Sequence, residues 1–107
     1  MAPSNKEIIV DYKTNINLKM DNVVTDLILF GSRLSETNGV ESDYDLLIVT
    51  NKKLDWRQKN KVEEICYQVD LKYNILSDTH ILSSQELKTL AGKQPIFLNA
   101  IQYGLHA

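Results

Sequence analysis

The chain has 107 residues, 43% hydrophobic and 24% charged, with 12 Lys and Arg against 14 Asp and Glu for a formal net charge of −2. That length supplies one hydrophobic core and does not divide in two, so residues 1–107 are expected to form a single domain. There is no basic field to hold nucleic acid, the only cysteine (Cys66) admits no internal disulfide, and no apolar run reaches bilayer length or forms a signal core. These features exclude a membrane span and argue for a reduced, cytoplasmic setting.

In chain order, Ile8, Ile9, Tyr12 and Ile16 recur at helical spacing, with Ser4 or Asn5 available as a cap, which predicts a helix from residue 5 to about 19. The run "VVTDLILF" is β-branched and apolar and ends at Gly31, as a buried strand does. "RLSETNGVES" is a polar loop with an Asn38-Gly39 turn signal, and "DYDLLIVT" is a second buried strand. Asp55 caps a helix whose stripe is Val62, Ile65, Cys66 and Val69, with Arg57, Lys59, Lys61, Glu63 and Glu64 outward.

From about Leu71 to Leu82 the period shortens towards two, predicting a third strand interrupted near Ser77-Asp78. A short helix from Ser83 or Ser84 to about Leu90 follows. Pro95 then opens a last helix, with Ile96, Phe97, Ala100 and Ile101 as its stripe and Gly104 as its stop. The expected order is α-β-β-α-β-α-α.

The stretch "LILFGSRLSETNGVESDYDLLIVT" holds the chemistry. Alternation along a strand sends Asp43 and Asp45 to one side, with their Cα atoms roughly 6.5 to 7 Å apart. Two like charges beside a buried strand repel unless a cation lies between them. Mg²⁺ suits that place because it takes hard oxygen ligands and commonly uses one or two carboxylates plus substrate phosphates. Gly31 lets backbone approach a ligand, Ser32 offers its N–H and hydroxyl to phosphate oxygens, and Arg33 adds positive charge. A Gly-Ser at a strand end is common in turns, and a lone Asp-x-Asp is more often a cap or a solvated pair. It is their spacing, with ten residues between Ser32 and Asp43 and a strand on each side, that carries weight.

"GSRLSETNGVESDYD" resembles the signature of the DNA polymerase β nucleotidyltransferase superfamily. The wider context, "LILFGSRLSE" and "SDYDLLIV", is similar to the minimal nucleotidyltransferases (MNT), the MntA-like antitoxins paired with a HEPT-type toxin. The resemblance is strong over residues 24–50 and weak elsewhere. It implies an α+β (α/β) fold with a small mixed sheet flanked by helices. It also implies Mg²⁺ held by Asp43 and Asp45, in a two-metal arrangement, and ATP or another NTP gripped by Gly31 and Ser32. Asp43, Asp45 and Ser32 are then the catalytic set, and Gly31, Ser32 and Arg33 bind the nucleotide. The acceptor it implies is a tyrosine hydroxyl of a HEPT-type toxin, and self-association is left open.

The superfamily adds a third carboxylate on the strand after the intervening helix. Asp70 and Asn74 are the candidates here, with Asp78 ranked below them. An amide at that point would leave the metal site under-neutralised, so a weakened or inactive antitoxin that acts by masking its partner is the rival reading. A small-molecule transferase of the antibiotic-modifying kind ranks last. Cys66 is expected in the core, His80 and His106 at surface or strand positions, and Trp56 packed on the sheet edge. Lys52, Lys53, Arg57, Lys59 and Lys61 are expected to form a solvated face.

Overall fold

The structure, a computed structural model, describes residues 3–31, 44–89 and 93–107. Helix α1 runs Asn5–Lys19; the Ser4 hydroxyl accepts the Glu7 N–H at 3.1 Å, and Ile8, Ile9, Tyr12 and Ile16 form its buried stripe. Two left-handed residues, Asp21 and Asn22, turn the chain into strand β1 (Val24–Phe30), and β2 spans Tyr44–Thr50. Helix α2 (Trp56–Tyr73) opens on a capping box in which Asp55 accepts from the Gln58 amide and the Gln58 side chain accepts from the Asp55 amide. Strand β3 (Ser77–Ser83), a single 3₁₀ turn (Glu86–Lys88), helix α3 (Pro95–Tyr103) and a two-residue strand β4 (Leu105–His106) complete the order.

The sheet order is β3-β2-β1-β4: β1 pairs antiparallel with β2 and β4, while β2 and β3 are parallel. Parallel pairing requires a crossover, and α2 supplies it. Leu27, Leu29, Tyr44, Leu46 and Ile48 face the stripes of α1 and α2, among them Val62, Ile65, Cys66 and Val69. Ile28, Phe30, Leu47 and Val49 face the other way, against Phe97 and Ala100 of α3. With apolar partners on both faces, β1 and β2 read as continuous apolar runs. The expected mixed sheet flanked by helices is therefore present, with three α-helices and four strands among the described residues.

Three elements differ from expectation. The 71–82 strand begins only at Ser77, because α2 runs to Tyr73 and closes at Asn74, which adopts the left-handed conformation (φ 56°) that asparagine tolerates. The helix expected after Ser83 is a single turn, held by Glu86 accepting from the Ser83 amide and the Ser83 hydroxyl accepting from the Glu86 amide. The chain after Gly104 is not a mere stop but pairs with β1: the Ala107 N–H donates to Leu27 O at 2.8 Å. Glycine permits this approach, since a Cβ at Gly104 would strike the Ile28 side chain and the Leu29 carbonyl. Trp56 does not pack on the sheet edge; it is 68% exposed, with the Arg57 guanidinium 5.2 Å from its ring centroid. On α3 only Phe97 and Ala100 of the expected stripe are buried, leaving Ile96 and Ile101 exposed.

Candidate active site

Asp45 lies in β2 opposite Phe30 of β1 and beside Asp78 of β3. Residues paired across parallel strands point to the same side, and strands lie about 4.8 Å apart, so the two carboxylates are neighbours on one face. It is the α3 face: Leu47 and Val49, which share Asp45's side, pack with Phe97. His80, which shares Asp78's side, sets its ring 5.9 Å from Phe30 and 5.6 Å from Phe97, with Nε2 3.8 Å from the Asp78 carboxylate. Asp78 is 57% exposed by side chain, so this end of the sheet is open to ligands.

Gly31 closes β1 at φ +86°, a conformation that side chains rarely adopt. A Cβ there would fall on Oδ2 of Asp45, with Cγ of the same carboxylate at 3.2 Å. The backbone at the strand end and the carboxylate thus approach as closely as glycine alone allows. Beside Gly31 a groove of about 340 Å³ runs along α3, lined by Phe30, Ile96, Asn99 and Tyr103 among others.

Of the residues named from the sequence, Gly31 and Asp45 are together here. Ser32, Arg33 and Asp43 lie outside the described residues. Neither candidate for the third acid comes to this face. Asp70 belongs to the α1–α2 side: it is 6% exposed, accepts the Tyr12 hydroxyl on one oxygen, and accepts the Ser77 amide (3.2 Å) and hydroxyl (2.9 Å) on the other. Asn74 is the exposed C-cap of α2. The acid that does stand beside Asp45 is Asp78, ranked lowest in the sequence. The usable signal was the helical stripe of α2, which continues through Val69 and Asp70 and moves the start of the next strand downstream.

Among the described residues no group of three or more His, Cys, Asp or Glu side chains is arranged to hold a metal ion. The donor set still fits Mg²⁺: two adjacent, hard carboxylates on an open face, beside a glycine where backbone closes in, match an ion that completes its shell with water and phosphate. Among the described residues, Asp45 and Asp78 are the ones that would hold it. No described helix is long and apolar enough to cross a membrane.

The profile of the family described as polymerase beta, nucleotidyltransferase, matches residues 12–101. A protein of Methanocaldococcus jannaschii named "Putative protein adenylyltransferase MJ0141" is 32% identical over 83 residues, covering 78% of this chain and 83% of its own length. No solved structure matches. The match runs from the second half of α1 through most of α3, taking in the whole β1–β2–α2–β3 unit that carries Gly31, Asp45 and Asp78. The chain belongs to the polymerase beta nucleotidyltransferase family.

Proposed function

We propose that this nucleotidyltransferase moves AMP from ATP to a hydroxyl on a partner protein, with Mg²⁺ as cofactor, and that the partner is a HEPT-type toxin for which the chain is the cytoplasmic antitoxin. The observation that carries the metal-nucleotide part is the Asp45–Asp78 pair on one face of the sheet, with the Asp45 carboxylate against Gly31. The adenylyl and protein-acceptor parts are supported by the name of the Methanocaldococcus relative.

In the reaction the acceptor oxygen bonds to the α-phosphorus of ATP as the bond from that phosphorus to the β-phosphate oxygen breaks, releasing pyrophosphate. Mg²⁺, held by Asp45 and Asp78 together with Asp43, would supply charge neutralisation for the transfer. The chain itself orients the substrate: Asp45 and Asp78 fix the charge on the sheet, and the backbone after Gly31, with Ser32 and Arg33, grips the phosphates. Asp78, the more exposed acid, takes the proton of the acceptor hydroxyl.

Mixing the chain with the product of its neighbouring gene, ATP and Mg²⁺ gives a partner heavier by one AMP per modified hydroxyl in intact mass spectrometry. Asp78→Asn abolishes the increment. A verified partner that binds and gains no mass refutes transfer. The masking alternative is motivated by Asn74 as the third position; Asn74 at a helix cap and Asp78 beside Asp45 favour transfer over it. Partner binding indifferent to Asp45→Ala with Asp78→Ala, without nucleotide binding, would restore it.

A further inference from the structure

We propose that Asp70 is a positioning residue for the active site: its buried carboxylate sets the register of β3 and thereby turns Asp78 to the face of Asp45. The inference rests on the reading of Asp45 and Asp78 as the metal-holding pair. Asp70 lies on α2, on the far side of the sheet from those acids, and holds three donors. Tyr12 of α1 donates to Oδ1, and the amide and hydroxyl of Ser77 donate to Oδ2 at 3.2 and 2.9 Å. Its own backbone carbonyl accepts from the amides of Asn74 and of Ile75, the latter at 3.0 Å. The whole turn from the end of α2 to the first residue of β3 is therefore anchored on one residue.

That anchor decides a side. Ser77 is held towards the helices, so alternation along the strand sends Asp78 to the opposite face, where Asp45 lies. The Tyr44 N–H, donating to Leu76 O at 2.8 Å, ties the same point to β2. A slip of one residue would turn Asp78 under the helices and bring Ser77 or Thr79 to the metal face. The core alone guards weakly against this slip. Along β3 only Ser83 is fully buried, and Ile81 and Leu82, on opposite sides, are both half-buried. A carboxylate that must satisfy two donors of one serine is a sharper determinant than that pattern.

The test compares Asp70→Asn with Tyr12→Phe in the full chain. An asparagine presents one neutral oxygen and an NH2 donor to a site of three donors, so the two charge-assisted bonds from Ser77 are weakened or lost. Tyr12→Phe removes the third donor and leaves both Ser77 bonds intact. Mn²⁺ binding in the presence of a non-hydrolysable ATP analogue, followed by paramagnetic broadening at a temperature where each variant is folded, weakens by about tenfold or more in Asp70→Asn and by less than about twofold in Tyr12→Phe. Equal effects of the two variants, or unchanged Mn²⁺ binding in Asp70→Asn, overturn the proposal.

Hydrogen exchange reads the register without any ligand. The Tyr44 amide exchanges about tenfold faster in Asp70→Asn than in Tyr12→Phe, and equal protection overturns the proposal even if the wild-type chain binds no metal, a result that would instead sink the proposed function. If Asp70→Asn does not fold, Ser77→Ala, which keeps the amide bond and loses the hydroxyl, carries the test. It weakens Mn²⁺ binding by about threefold, and an unchanged affinity refutes the role.

Discussion

Replacing Gly31 by alanine perturbs the site through two separable terms. The first is backbone: at φ +86° a side chain costs about 1 to 2 kcal/mol. The second is the carboxylate of Asp45, whose Oδ2 occupies the place of the new Cβ and must rotate away, at about 1 kcal/mol for a side chain forced off its rotamer. Together they lower stability by about 2 to 3 kcal/mol. For a chain of this length that is a fall in melting temperature of about 8 to 12 °C. Urea denaturation of wild type, Gly31→Ala, Asp45→Ala and the double variant forms a thermodynamic cycle. With Asp45 shortened, only the backbone term remains, so Gly31→Ala costs about 1 kcal/mol less in that background. Two results would refute the reasoning. One is a single variant within about 0.5 kcal/mol of wild type; the other is a cost identical in both backgrounds, which would mean that the carboxylate does not demand the glycine.

Three further outcomes follow from the remaining chemistry. Burial, with the nearby charges of Asp70 and Glu63, pushes the Cys66 thiol up to about 12, so native protein resists a disulfide reagent at pH 8 and labels only as it opens; immediate labelling in the absence of denaturant contradicts the buried placement. At His106 burial draws the pKa down, but Nδ1 against the Asp26 carboxylate (2.8 Å) and Nε2 against the Ile101 carbonyl (2.9 Å) outweigh it, and the net is upward. Because the folded value lies above the unfolded one near 6.5, the bond's stabilisation, below about 1 kcal/mol at so exposed a site, is complete at lower pH and is lost as pH rises through the folded value. The difference in urea midpoint between wild type and His106→Gln therefore shrinks from pH 5.5 towards pH 9; growth with pH would reverse the assignment. At Asp11 the Lys72 ammonium at 2.7 Å and the Tyr73 hydroxyl at 2.6 Å hold the carboxyl below its ordinary value. Its contribution to stability is present above pH 3.8 and is lost as pH falls through the folded value, so below that point wild type loses urea resistance more steeply than Asp11→Asn; parallel acid profiles would show the contact to be idle.

What the sequence determined by itself was mostly local. Ser4 and Asp55 mark helix starts because a short polar side chain must satisfy the first free amides, and both caps are formed. The stripes of α1 and α2 and the apolar runs of β1 and β2 were legible because each repeats a period set by its own backbone. Gly31 was legible as a strand end, and the spacing from Gly31-Ser32 to Asp43 and Asp45 carried the family.

Which acid stands beside Asp45 was decided by tertiary structure. Asp70, Asn74 and Asp78 are all polar residues near a helix-to-strand junction, and local pattern does not say where the helix stops. The left-handed cap at Asn74 and the bonds from Ser77 to Asp70 make that choice, and the parallel register with β2 then places Asp78, not Asp70, beside Asp45. β4 was invisible for a similar reason. Two residues have no period, and the chain after Gly104 becomes a strand only because the edge of β1 offers it unpaired hydrogen-bonding groups. Period and capping are properties of neighbours along the chain; register and face exist only once distant segments have met.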